Sequence, residues 1–130
     1  MQPAVLVIDD DPSFLRLLEH ELTTEGFQVF TATTGSQGME LLKGRPVSLV
    51  VTDMRMPFVD GFDVIYALKE QYPTLPILLT TASPVNERVR KALRFESVAF
   101  LSKPFQLPQF REAVASLSIR PAGLPIHRAA

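Results

Sequence analysis

Residues 4–10 have the sequence AVLVIDD, a short apolar run that ends in two aspartates, Asp9 and Asp10. A second run, VSLVVTD, covers residues 47–53 and ends at Asp53. Short apolar runs bounded by turn residues are typical of buried strands in a parallel sheet. In open parallel sheets, reacting groups gather outside the carboxyl ends of the strands. The two runs therefore predict a cluster of carboxylates at one end of such a sheet.

A third apolar run ends in a basic residue instead. Residues 98–102, VAFLS, lead directly into Lys103 and Pro104, so an ammonium group is expected beside the carboxylates. Crowded carboxylates repel one another and resist joint ionisation. A divalent cation relieves that repulsion, and hard oxygen ligands suit Mg²⁺. The proline after Lys103 also allows a cis peptide bond at that position.

Strand and helix patterns alternate along the rest of the chain, which predicts an α/β fold. The predicted strands cover residues 4–8, 27–31, 47–53, 76–81 and 98–102. Helices are expected from Pro12 to Gly26 with Asp11 as N-cap, from the capping-box residue Thr34 to Gly44, over about 62–71, over about 85–95 after a Ser83-Pro84 cap, and from Pro108 onward. This alternation predicts a doubly wound, five-stranded parallel sheet with helices on both faces. The pattern alone does not choose the strand order, but the flavodoxin-like order 2-1-3-4-5 gathers the aspartates at neighbouring strands.

Length and composition narrow the function classes. The chain has 130 residues, enough for one domain with a real core, which we place at residues 1–118. Residues 119–130 contain two prolines and a glycine without any period, and are expected to form a tail or linker. The net charge of -1 gives no support to nucleic-acid or membrane-surface binding. Cysteine is absent, and His20 and His127 are too few for a histidine-rich zinc site. With no signal peptide or membrane-length apolar run, the expected location is the cytoplasm.

Each acidic or basic signal also has an ordinary structural explanation. An aspartate at a helix start serves as a cap, but three in a row, Asp9 to Asp11, exceed what one cap needs. Thr81 fits a strand as any β-branched residue does, yet its hydroxyl can donate to a phosphoryl oxygen, with Ala82 leaving room beside it. A carboxylate held at a strand end, such as Asp53, can act as a nucleophile toward phosphorus.

Taken in order, these motifs resemble the receiver domain of two-component response regulators. The resemblance covers about residues 3–117 and rests on motifs that stand at the ends of predicted strands. These are Asp9-Asp10, the run Asp53-x-x-Met56-Pro57-x-x-Asp60-Gly61, Thr81-Ala82, Phe100 and Lys103-Pro104-Phe105. The departures are Glu96-Ser97, where the family often has Gly-Ala, and Phe100, which lacks the hydroxyl of the common tyrosine.

The resemblance implies a role for each matching residue. Asp53 would accept a phosphoryl group from a histidine kinase or a histidine phosphotransfer protein. Mg²⁺, which Mn²⁺ can replace, would be held by Asp10, Asp53 and the backbone carbonyl of Arg55, with Asp9 binding directly or through water. Thr81 and Lys103 would bind the phosphoryl oxygens, and Phe100 would fill the space that Thr81 vacates. Arg55 and Ser83 would flank the site as its variable positions.

The resemblance also implies an output. The surface made by the fourth helix, fifth strand and fifth helix would change on phosphorylation, and two activated copies would pair through it. A basic stripe on the fourth helix lies at this surface: Arg88, Arg90, Lys91 and Arg94. Such a chain is a signalling domain and not an enzyme, because it catalyses only transfer to and hydrolysis from its own aspartate.

Two alternatives use the same residues differently. A phosphatase of the haloacid-dehalogenase type also has an aspartate nucleophile and Mg²⁺ on a parallel sheet. That family places a second aspartate two residues after the nucleophile, where this chain has Arg55. A pseudo-receiver, a binding module without phosphorylation, would not need the site residues, and this chain has all of them.

Overall fold

The computed structural model describes residues 2–54, 61–82 and 85–117. In this part of the chain, five strands alternate with five helices. The strands are β1 (Ala4–Ile8), β2 (Gln28–Ala32), β3 (Leu49–Asp53), β4 (Ile77–Thr81) and β5 (Val98–Ser102). The helices are α1 (Pro12–Thr24), α2 (Gly35–Leu42), α3 (Gly61–Gln71), α4 (Glu87–Ala92) and α5 (Leu107–Ser116). The expected tail, residues 119–130, lies outside the described residues.

The strands form one parallel sheet in the order β2-β1-β3-β4-β5. β1 pairs with both β2 and β3, β4 joins β3 to β5, and all four pairings are parallel. The predicted fold class and strand order are therefore confirmed. Because β1 and β3 are neighbours, their carboxyl ends lie side by side at one edge of the sheet.

Each face of the sheet carries its own apolar layer. Side chains alternate along a strand, so Leu6 and Ile8 of β1 face one layer while Val5 and Val7 face the other. The first layer contains buried residues of α2, α3 and α4, and the second contains buried residues of α1 and α5. The three inner strands are buried along their whole length, whereas the edge strand β5 is only partly buried. The helices thus cover both faces and leave the carboxyl end of the sheet to its loops.

Local capping explains where the first two helices begin. The side chain of Asp11 accepts hydrogen bonds from the backbone N–H groups of Ser13 and Phe14, at 3.0 and 3.4 Å, as predicted for the N-cap of α1. Thr34 caps α2 by accepting from the Gln37 N–H at 3.1 Å. The Gln37 side chain accepts from the backbone N–H of Thr33, one residue before the cap, so the second half of the predicted capping box is displaced by one position.

The fourth helix is shorter than the sequence predicted. It begins at Glu87, and its N-cap is Asn86, whose side chain accepts from the Val89 N–H at 3.0 Å. The expected helix over 85–95 is therefore wrong at both ends, because Asn86 supplies a closer cap and the helix stops at Ala92. Ser83 and Pro84, the expected cap, lie outside the described residues. Among the helices that the structure describes, none is long and apolar enough to cross a membrane.

Candidate functional site

The carboxyl ends of four strands bring the predicted site residues together. Asp9 and Asp10 follow β1, Asp53 ends β3, Thr81 ends β4, and Lys103 follows β5. Backbone hydrogen bonds extend the sheet into this region: the Asp9 N–H donates to the Ala32 carbonyl at 3.0 Å, and the Lys103 N–H donates to the Thr81 carbonyl at 2.8 Å. These two bonds fix the backbone positions from which the Asp9 and Lys103 side chains extend.

Three aspartates form a group that can hold a metal ion. Asp9, Asp10 and Asp53 each present a carboxylate oxygen, and these oxygens all lie within 4.8 Å of one another. Asp9 and Asp53 are buried, whereas Asp10 is exposed. A set of hard carboxylate oxygens with one side open to solvent is the kind of site that Mg²⁺ prefers, because Mg²⁺ keeps several of its water ligands. The residues present therefore fit the expected ion.

Asp9 is held at both of its carboxylate oxygens. Oδ1 accepts from the backbone N–H of Asp11 at 3.0 Å, and Oδ2 accepts from Lys103 Nζ at 2.8 Å. Its orientation is thus fixed by the turn into α1 and by the lysine together. Both oxygens of Asp9 therefore already accept hydrogen bonds before any ion binds.

Lys103 links two of the carboxylates. Its Nζ lies 2.8 Å from Asp9 Oδ2 and 3.7 Å from Asp53 Oδ2, and the side chain is only 18% exposed. The same Nζ lies 4.1 Å from the centre of the Phe14 ring. The peptide bond between Lys103 and Pro104 is cis. A partly desolvated ammonium group thus donates to Asp9 and lies close to Asp53, the carboxylate that is expected to act as the nucleophile.

Thr81 and Phe100 lie on neighbouring strands beside this cluster. Thr81 is buried, and Ala82 after it is exposed. Phe100 pairs with Leu79 across the β4–β5 ladder, is partly buried and packs against the apolar layer of α2, α3 and α4. The aromatic ring is thus neither fully inside the core nor fully in solvent.

Gly61, the first residue of α3, lies against the end of β3. The Gly61 N–H donates to the Met54 carbonyl at 2.8 Å, and a Cβ atom at this position would overlap the backbone carbonyl of Asp53. Only glycine allows this close approach of the backbone to the end of β3. Arg55 and Ser83, the two predicted flanking positions, lie outside the described residues.

Two features of the structure were not found in the sequence. Phe14, in the first turn of α1, is partly buried, and its ring contacts the Lys103 ammonium. Lys69, in α3, is buried, and its Nζ donates to the carbonyls of Pro73 at 3.1 Å and Leu75 at 2.7 Å. Burial lowers the pKa of Lys69, and the nearby charge of Glu96 partly opposes that shift. No sequence signal indicates either contact, because each depends on a loop or strand that returns to the helix.

Comparisons with known proteins agree with this geometry. The family model described as "response regulator receiver domain" matches residues 5–115. The transcriptional regulatory protein GlrR of Escherichia coli K12 is 33% identical over 110 residues, covering 85% of this chain and 25% of GlrR. The sensor histidine kinase TmoS of Ectopseudomonas mendocina is 33% identical over 126 residues, covering 94% of this chain and 13% of TmoS. This chain therefore spans a quarter or less of the length of these two relatives.

A solved structure gives the same result for the fold. The crystal structure of a response regulator receiver protein from Sinorhizobium medicae WSM419 superposes with a TM-score of 0.78 at 30% identity, covering 88% of this chain and 93% of that one. These comparisons favour a receiver over the phosphatase alternative. Together with the parallel sheet of order 2-1-3-4-5 and the acidic cluster at its carboxyl end, they show that the chain belongs to the response regulator receiver domain family of two-component systems.

Proposed function

We propose that this receiver domain is switched by phosphorylation of Asp53. The observation that carries the proposal is the position of the Lys103 ammonium, 2.8 Å from Asp9 and 3.7 Å from Asp53 within the three-aspartate group. Receiver domains are phosphorylated by histidine kinases. The donor would therefore be a histidine kinase or a histidine phosphotransfer protein, and we place the reaction in the cytoplasm.

The transfer itself would be an attack by a carboxylate on phosphorus. An oxygen of Asp53 would form the new P–O bond while the P–N bond of the donor phosphohistidine breaks, leaving an acyl phosphate and a free imidazole. Lys103 would neutralise part of the negative charge on the transferring group, because its ammonium already lies beside Asp53. Hydrolysis of the acyl phosphate would reset the domain, so its only catalysis would be on its own aspartate.

A divalent cation would complete the site. When bound, Mg²⁺ or Mn²⁺ would supply positive charge to the phosphoryl oxygens. Asp10, Asp53 and the backbone carbonyl of Arg55 would hold it. Because both oxygens of Asp9 already accept hydrogen bonds, Asp9 would contribute through a water or by sharing Oδ2 with Lys103.

Thr81 and Phe100 would transmit the change. The Thr81 hydroxyl would bind a phosphoryl oxygen together with Lys103, and Phe100 would move into the space beside β4. Because Phe100 is a phenylalanine and only partly buried here, an inward move would bury apolar surface without leaving a hydroxyl unpaired. The affected surface would be the one made by α4, β5 and α5.

A second activated copy is the partner that we propose for this surface. Arg88 packs over the Phe62 ring of α3 at 4.7 Å and pairs with Asp63 at 3.4 Å, so it already has partners within its own chain. Lys91 and Arg94, both exposed, then become the basic residues proposed to face acids of the other copy. Glu96 and Glu112, also exposed, are the acids proposed for those pairs. A symmetric dimer of this kind should strengthen with beryllofluoride and weaken with salt, which sedimentation can measure.

Chemical labelling tests the central step. Phosphoramidate with Mg²⁺ should add one base-labile phosphoryl group to the wild-type chain, detected by intact-protein mass spectrometry. Asp53→Asn should abolish this labelling. Asp11→Asn is the matched control, since it removes a neighbouring charge outside the cluster while asparagine still caps α1. Undiminished labelling of Asp53→Asn would overturn the assignment.

A further inference from the structure

Phe14 lies against the ammonium group of Lys103. The distance from Lys103 Nζ to the ring centre is 4.1 Å, within the range of a cation–π interaction. Phe14 belongs to the first turn of α1 and Lys103 follows β5, so the contact joins the start of a helix to the end of the edge strand. This contact bears on how the lysine is held, and its effect on phosphorylation rests on the proposed function.

The three neighbours of the ammonium group differ in kind. Asp9 Oδ2 at 2.8 Å accepts a hydrogen bond, Asp53 Oδ2 at 3.7 Å attracts by charge, and the ring attracts through its electron-rich face. The carboxylates would change their charge or ligands when an ion and a phosphoryl group bind. The Phe14 ring would stay unchanged when they bind, so of these three neighbours it is the one whose attraction for the ammonium is constant.

The ring is itself fixed by other aromatic residues. Phe14 meets Phe105 edge to face, with centroids 5.7 Å apart, and Phe105 stacks on Phe110 at 5.8 Å. Phe110 is fully buried in the layer of α1 and α5. At its other end, the Phe14 N–H donates to the Asp11 cap. Phe14 is thus held by the core and by the start of α1 together.

We propose that Phe14 is a positioning residue for Lys103, whose ring face keeps the ammonium between Asp9 and Asp53 while the charges around it change. An apolar side chain of similar size would fill the space but offer no π face. The ring should therefore matter beyond its bulk, and it should act only through the lysine.

Two substitutions at Phe14 separate the ring from its bulk. Phe14→Leu keeps an apolar side chain and should slow labelling by phosphoramidate about three- to tenfold. Phe14→Tyr keeps the ring and should restore the rate. Leu17→Ala, at an exposed position of the same helix, is the control and should label like the wild type. Thermal unfolding of each variant shows that the fold is retained.

A double-mutant cycle tests whether Phe14 acts through the lysine. In a Lys103→Met background, Phe14→Leu should cause no further loss of rate, because the group that the ring holds is gone. A loss of the same size in both backgrounds would overturn the proposal and assign Phe14 to packing alone.

An NMR measurement tests the contact between Phe14 and Lys103 without phosphorylation. In metal-free wild-type protein, the ring current of Phe14 should shift the Lys103 ε-methylene protons upfield in the NMR spectrum, and Phe14→Leu should remove that shift while Phe14→Tyr keeps it. An unchanged Lys103 resonance in Phe14→Leu would overturn the proposal. If the wild type shows the shift but takes no phosphoryl group, the proposed function fails and the positioning of Lys103 stands.

Discussion

Two lysines of this domain hold their ammonium groups out of solvent in different ways. Lys103, at the carboxyl end of the sheet, lies between two carboxylates and an aromatic ring. Lys69, in α3, donates to two backbone carbonyls of the loop that leads to β4. The partners of Lys69 are fixed peptide groups, whereas the carboxylate partners of Lys103 can gain an ion or a phosphoryl group.

This difference distinguishes Lys103, which lies in the candidate site, from Lys69, which stabilises the fold. The Lys103 ammonium can respond when its carboxylate partners bind an ion or gain a phosphoryl group. A charge that satisfies loop carbonyls mainly keeps buried polar groups paired, and its loss leaves them unsatisfied. The same substitution at the two positions should therefore change different properties of the protein.

The largest effect is expected at the site. Lys103→Met should slow labelling by phosphoramidate about a hundredfold, because a preorganised charge beside the transferring group is lost. Its unfolding free energy should fall by about 1–2 kcal/mol, between the values for exposed and fully buried ion pairs. Labelling kinetics and urea unfolding measure the two effects. Normal labelling of Lys103→Met would contradict the proposal that Lys103, unlike Lys69, acts in phosphorylation.

The matching substitution in α3 should have the opposite profile. Lys69→Met removes the donor of two hydrogen bonds and should lower the unfolding free energy by about 1–3 kcal/mol. Its rate of labelling should equal that of the wild type once the protein is folded. A stable Lys69→Met with slow labelling would show that the α3 lysine also serves the site.

The pH dependence of stability sharpens the same contrast. Burial holds the pKa of Lys69 below its ordinary value of 10.5 in the folded chain. Between the lowered pKa and 10.5 the unfolded chain binds more protons, so the contribution of Lys69 to stability should rise as the pH rises through that window. The unfolding free energy of the wild type minus that of Lys69→Met should therefore increase with pH there. A difference that falls over the same window would contradict the assigned direction.

The smallest effect on stability is expected at the exposed carboxylate. Asp10→Asn deletes a hard ligand but also reduces repulsion within the three-aspartate group. Mg²⁺ should bind more weakly, while the metal-free melting temperature should stay equal or rise. Titration with Mg²⁺ and thermal unfolding measure both. A clear loss of metal-free stability would identify Asp10 as a structural cap.

The sequence predicted those parts of the fold that depend on local signals. The apolar run of β1, the Asp11-Pro12 start of α1 and the strand before Lys103 combine hydrophobic pattern with a capping or turn residue, and the structure has them as expected. The predicted start of the fourth helix was wrong because Ser83-Pro84 and Asn86 are competing N-cap signals only a few residues apart in the sequence. Helix propensity alone does not choose between them.

The grouping of the aspartates followed from topology, since parallel strands end at the same side of the sheet. The contacts of Phe14 and Lys69 could not be predicted in that way. Helical spacing shows that Phe14 lies on the protein side of α1, but not that Lys103 returns to its ring from the far end of the chain. The loop that gives Lys69 its carbonyl partners has no residue pattern that marks it as a lysine site.

Locating the phosphoryl group on the chain tests directly whether Asp53 is the residue that is phosphorylated. Borohydride reduces an aspartyl phosphate to homoserine, and peptide mapping by mass spectrometry then identifies the modified position. After treatment with phosphoramidate and Mg²⁺, we expect homoserine at position 53, with Asp9, Asp10 and Asp11 unchanged. Homoserine at any of those three positions in place of Asp53, or at none of the aspartates of a labelled protein, would contradict the phosphorylation of Asp53.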